Sequence, residues 1–153
     1  MRRISWARPV LFLALLLPIA ASCGGDDPTG PTDSNLIGTW DATVIEIVSV
    51  ADPAVSVELI ALGGSGRLVL QDQADFGLSV GIPDNGTEFG NGTWSSTDIL
   101  TLNFGDGDIQ GTWQFDFDLN GDTLTLTGAD VEYDFDENGT EDPAKLNLTL
   151  VRL

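Results

Sequence analysis

Five oxygen-bearing residues fall at alternate places in the stretch DFDENGTEDP: Asp134, Asp136, Asn138, Thr140 and Asp142. Hard oxygen ligands at that spacing suit calcium, with Gly139 where such a loop turns sharply and Thr140 offering its main-chain carbonyl. The place of the bidentate glutamate that closes such a loop is taken by Lys145. A solvated acidic turn is the competing reading, and it weighs more in a chain this rich in carboxylates. No cofactor is required, and calcium is the one candidate ion. Upstream, DFDLNGDTLT repeats the D-F-D-x-N-G opening from Asp116. There Asn120-Gly121 reads as a two-residue hairpin turn, because both central positions of such a turn need positive φ. Closing the hairpin there sets Phe117 against Leu124 and Phe115 against Leu126. Asp116 and Asp118 then lie on the outer face, away from any metal. In the later stretch, turning at Asn138-Gly139 would force Pro143 into a ladder where it cannot donate. Pairing Phe135 with Leu146 avoids this and leaves residues 136–145 as a long excursion.

Other chemistry is thin. The chain has no histidine and one cysteine, Cys23. That removes the usual general base, histidine zinc ligands and an internal disulfide. A carboxylate pair could in principle serve glycoside hydrolysis, but nothing in the sequence argues for a cleft around one. The expectation is a protein that is not an enzyme.

The N-terminus has its own chemistry. Arg2, Arg3 and Arg8 precede the apolar run VLFLALLL, which leads into PIAASC. A basic segment, a short apolar run and small residues make a secretory signal. The closing IAASC resembles the lipobox of bacterial lipoproteins, with Ala20 in the usual leucine place. The resemblance implies cleavage before Cys23, fatty acylation of that residue (palmitate or a similar chain) and anchorage to the membrane of the cell envelope. The protein would then face the periplasm or the cell surface, on the outer membrane where there is one. Losing residues 1–22 leaves 153 − 22 = 131 residues. Residues 23–35 read as the acylated cysteine and a flexible tether, GGDDPTGPTDS, poor in large apolar side chains. Residues 36–153 suit one domain, expected to be monomeric. Its only basic residues are Arg67, Lys145 and Arg152, against 24 carboxylates in the whole chain. Such a surface repels nucleic acid.

The elements that must position these residues are strands. From Leu36 onward short apolar–polar alternations are punctuated by Gly, Asn, Asp and Pro, the pattern of an all-β domain. Strands are expected at 38–50, 55–62, 66–72, 75–82, 89–95, 98–104, 111–119, 122–129, 130–135 and 145–152, with no long helix. Between Trp94 and Leu100 a three-residue loop, Ser96-Thr97-Asp98, keeps Trp94, Leu100, Leu102 and Phe104 on one face. The segment 55–62 is the least regular, since Asp52-Pro53 could cap a helix while VSV favours strand.

The triplet GTW recurs at Gly38, Gly92 and Gly111, each time opening a strand. A glycine admits close approach and the tryptophan buries a large ring. The first copy, in LIGTWDAT, resembles the opening strand of lipocalins and of bacterial lipocalin-like lipoproteins, whose G-x-W signature is matched by Gly38 and Trp40. That resemblance implies an up-and-down antiparallel β-barrel of eight or more strands, with Trp40 plugging one end; a two-sheet β-sandwich is the alternative. Arg152, on the last strand, is the best arginine partner for Trp40. Two functional readings follow. One is a lipid-anchored carrier of a small apolar ligand. The other is a structural or interaction lipoprotein whose barrel is filled by its own side chains, with calcium as an added stabiliser.

Overall fold

The computed structural model describes residues 33–153. Nine strands follow a short 3-10 turn at Ser34–Leu36: β1 Gly38–Ser49, β2 Ser56–Glu58, β3 Ser65–Leu70, β4 Asp75–Ile82, β5 Gly86–Ser96, β6 Ile99–Gly107, β7 Gly111–Asn120, β8 Thr123–Tyr133 and β9 Asp142–Arg152. All pairings are antiparallel. The order β1-β3-β4-β5-β6-β7-β8-β9 closes on itself through β1–β9, and β2 adds to β1 outside that ring. The molecule is therefore an eight-stranded up-and-down barrel with one extra strand, the lipocalin-like architecture expected.

Alternation builds the core. Leu100, Leu102 and Phe104 of β6, and Ala144, Leu146, Leu148 and Leu150 of β9, point inward and are buried. Asp116 and Asp118 lie on the outer face and are exposed, as the period of two requires. Phe76 and Phe104, on strands either side of β5, meet edge to face at 5.0 Å over its glycines. A Cβ on Gly90 would fall 2.5 Å from the Phe104 ring, so only glycine leaves room there.

Several expected pairings are displaced. In the β7–β8 hairpin the turn residues are Gly121-Asp122, so Phe117 faces Leu126 and Leu119 faces Leu124. Only Gly121 has positive φ, 60°, which fits a turn with glycine first rather than one needing positive φ twice. The shift moves the register by two, keeps every face, and gives Leu119 the apolar partner it lacked in the other register. Likewise β5 and β6 are joined by Thr97-Asp98, with Ser96 facing Leu100 and Trp94 facing Leu102. The expected strands 122–129 and 130–135 are one strand, β8, with a bulge at Gly128.

The β8–β9 register is the largest correction. Leu146 faces Ala129, not Phe135, which lies beyond β8, and the intervening loop is 134–141 rather than 136–145. Pro143 does sit in the ladder, opposite Glu132. It is tolerated because its carbonyl accepts from Val50 N–H at 3.1 Å, toward β1. In a strand the nitrogen points the same way, here beyond Ser49, the last residue of β1, where β9 loses no bond to β8. Of the expected strand 55–62 only Ser56–Glu58 pairs, and turns follow. The Glu58 carboxylate holds that turn by accepting from Ile60 N–H, Ala61 N–H and, across on β1, Ile45 N–H. Those bonds, led by the one from Ile45, keep its carboxyl below the ordinary value.

The two ends of the barrel differ. At one end, hereafter the closed end, β1 pairs β3 over 38–41 and β7 pairs β8 over 116–120. Toward the other end those two pairings stop. There β8, β9 and β1 continue as one sheet, with long registers, and β3 to β7 as another. Two seams separate them.

Candidate functional site

Trp40 does plug the closed end. Its ring is fully buried, and its indole N–H donates to the Leu36 carbonyl at 2.9 Å. The Arg152 guanidinium carbon lies 4.1 Å from the Trp40 ring centre. From there Arg152 donates to the carbonyls of Ile37, at 2.7 Å, and Asn35. Gly38 has φ 153°, and a Cβ there would stand 2.6 Å from the Arg152 guanidinium. Glycine is needed so the chain can pass under the cation. Asp33, Ser34 and Asn35, the last residues of the expected tether 23–35, instead pack onto this end: Asp33 N–H donates to Ser96 Oγ at 2.8 Å. The role of these contacts is to close the barrel and tie its ends together.

The acidic loop satisfies itself. Gly139 N–H donates to one oxygen of Asp134 at 2.7 Å, and Asn138 N–H to the other at 3.1 Å. Asn138 in turn accepts from Thr140 N–H at 2.7 Å, and Asp136 accepts from Asn138 N–H. The Gly139 bond first, then that from Asn138, holds the Asp134 carboxyl below its ordinary 3.8. Asp142 has left the loop, as the first residue of β9 opposite Tyr133. Four of the five sequence candidates, Asp134, Asp136, Asn138 and Thr140, therefore share the loop, and main-chain N–H groups donate to the carboxylates of Asp134 and Asp136. Among the described residues no group of three His, Cys, Asp or Glu side chains is placed to hold a metal.

A third place was not picked out from the sequence. Between β7 and β8 the pairing ends at Asp116 with Thr127, so 111–115 and 128–133 face each other without a ladder. A depression of about 530 Å³ occupies this seam. Its apolar lining is Ile109, Trp113, Val131, Pro143 and Ala144, and its polar rim is Gln110, Asp130, Glu132 and Glu141. Trp113 belongs to an edge-to-face series, 4.9 Å from Phe104 and 6.3 Å from Phe115. It is the one GTW tryptophan left half-buried; Trp40 and Trp94 are sealed. The bulge at Gly128 makes the seam, since it bends β8 away from β7. Asn147 Oδ1 accepts the Gly128 N–H at 3.0 Å, and Lys145 donates to the Gly128 carbonyl at 3.1 Å. The available signal in the sequence is Gly128 between two apolar alternations, inside the expected strand 122–129.

The candidate lipidation site Cys23, the signal 1–22 and most of the tether lie outside the described residues. Among the described residues no helix is long and apolar enough to cross a membrane. No protein-family model matches the chain, and no curated protein matches it.

Proposed function

We propose that this is a lipid-anchored bacterial envelope protein whose barrel is a filled, non-catalytic scaffold for interaction. The observation that carries this reading is the occupation of the barrel by its own large side chains. Trp40, Trp94 and Phe115 are at most 1% exposed, and Leu68, Leu102 and Leu126 are fully buried around them. Inward glycines point the same way: a Cβ on Gly66 would lie 2.7 Å from Ile45 Cδ1 and 2.9 Å from the Ala42 Cβ. A barrel of eight strands is just wide enough to be filled in this way or to hold one small ligand. The Gly38–Trp40 signature with Arg152 stacked on it supports the lipocalin-like reading of the closed end. The lipobox-like IAASC supports anchorage through acylated Cys23.

The carrier reading has one observation in its favour, the apolar lining of the β7–β8 seam around Trp113. Native mass spectrometry of the full chain purified from its own host separates the two. The scaffold reading expects the mass of the processed chain plus its acyl groups and nothing more. A small apolar molecule retained in stoichiometric amount overturns it in favour of the carrier.

A further inference from the structure

The barrel has two seams, and among the described residues the chain adds a strand of its own at only one. Where β1 parts from β3, the chain supplies its own extra strand. Ser56–Glu58 adds to the free edge of β1 at 46–48, and Leu59, next in the chain, is buried at 3% exposure. Leu59 N–H donates to the Ile45 carbonyl of β1, and its own carbonyl accepts from Gly64 N–H within the turn that leads to β3. Where β7 parts from β8, no described residue does this.

The second seam has the parts a strand needs. Both flanking stretches are regular, because 111–115 is paired to β6 and 129–133 to β9 on their far sides. Pro143 directs its carbonyl toward β1, so Glu132 opposite it turns its own N–H and C=O away from β9, into the seam; Asp130 two residues back does the same. No backbone partner reaches them across the seam among the described residues. Edges of this kind are templates for an added strand. Side chains then set specificity by alternation. On the inner side wait Ile109, Trp113, Val131 and Ala144; on the outer side, the carboxylates of Asp130 and Glu132. The nearby cation Lys145 is paired with Asp130 at 2.6 Å.

We propose that the β7–β8 seam accepts, as an added strand, an extended segment of a partner protein in which apolar and basic residues alternate. A second copy of this acidic chain is the wrong occupant, since carboxylates would face carboxylates. The chain's own segment 24–32 is also wrong: it carries Asp26 and Asp27, holds Pro28 and Pro31, and joins at the closed end, opposite the seam. The proposal deepens the scaffold reading by naming the chemistry of its partner.

The test uses the full chain in neutral detergent and a capped nine-residue peptide alternating valine and lysine. Binding is read by tryptophan fluorescence, assigned with Trp113→Phe, and by hydrogen exchange. The expected result is saturable binding with slowed amide exchange in both 111–115 and 128–133. Affinity should fall at least tenfold for a peptide N-methylated at alternate residues, and at least tenfold for Asp130→Asn with Glu132→Gln. Equal binding by the N-methylated peptide overturns the strand, leaving charge attraction alone. Equal protection by naphthylmethylamine overturns it in favour of a small cationic ligand. No binding by the alternating peptide to a protein that still melts cooperatively overturns the proposal while leaving the filled-barrel reading, judged by mass, intact.

Discussion

At the scale of single residues the closed end is where the most depends on the least. Trp40 fills the floor of the barrel, and Arg152 lies on its outer side as a lid that also ties Ile37 and Asn35 to the last strand. Truncating a buried ring of this size costs about 3–5 kcal/mol. Trp40→Ala should therefore lower the melting temperature far more than any single substitution in 24–32. Arg152→Lys is the finer test. Lysine keeps the charge but cannot stack and reach both carbonyls in one plane, so about 1–3 kcal/mol should go with the unpaired acceptors. Thermal melts of both variants check this, and Arg152→Lys melting like wild type would show that charge alone suffices. The sequence announced this cluster because a G-x-W opening and a basic residue on the last strand are chemical types. It did not announce Trp113, identical in motif to Trp40 and Trp94. Which tryptophan stays half-open depends on where β8 leaves β7, a tertiary event with no local mark but Gly128.

Among elements, the two D-F-D-x-N-G stretches show how far a turn can be read. Their difference in kind was legible, since the residues after each turn differ: apolar alternation follows Gly121, whereas charges and Pro143 follow Gly139. Their registers were not. A displacement by an even number of residues, as in both hairpins, leaves every face unchanged, so patterning cannot sense it. The 134–141 loop is held by its own carboxylates, which sets its response to ions and acid. Asp134 is depressed below 3.8 in the folded loop. Such a group stabilises the fold fully above its unfolded value, and the contribution disappears as pH falls through the lower folded value. Wild type should thus lose more stability than Asp134→Asn as pH is lowered from about 6 into that range. With main-chain donors already on Asp134 and Asp136, millimolar calcium should raise the wild-type melting temperature no more than magnesium does. A calcium-specific shift, removed by Asp136→Asn with Asp142→Asn but not by Asp116→Asn with Asp118→Asn, would show instead that the loop opens to take the ion.

For the whole molecule, the two ends of the barrel face opposite duties. Asp33 enters at the closed end, beside Ser96, whereas the seam lies at the far end of β7 and β8. Ten residues of chain lead from Cys23 to Asp33, a stretch that reaches at most about 36 Å even fully extended. If Cys23 carries the anchor, the closed end is held toward the bilayer and the seam is presented away from it. A seam so placed meets partners from the aqueous side rather than lipids rising from the membrane, and this orientation favours a protein partner over an apolar cargo. With that anchor in place the acidic surface would act in the same sense, since anionic headgroups would repel it and basic segments would be attracted. This orientation hangs on Cys23, the only cysteine in the chain. Growth of the native host with an alkyne fatty acid should label wild type and not Cys23→Ser, and the variant should appear as an uncleaved or soluble product. Label persisting in Cys23→Ser would place the acyl chain elsewhere, remove the reason for holding the closed end toward the bilayer, and leave the seam with no preferred side from which to meet its partner.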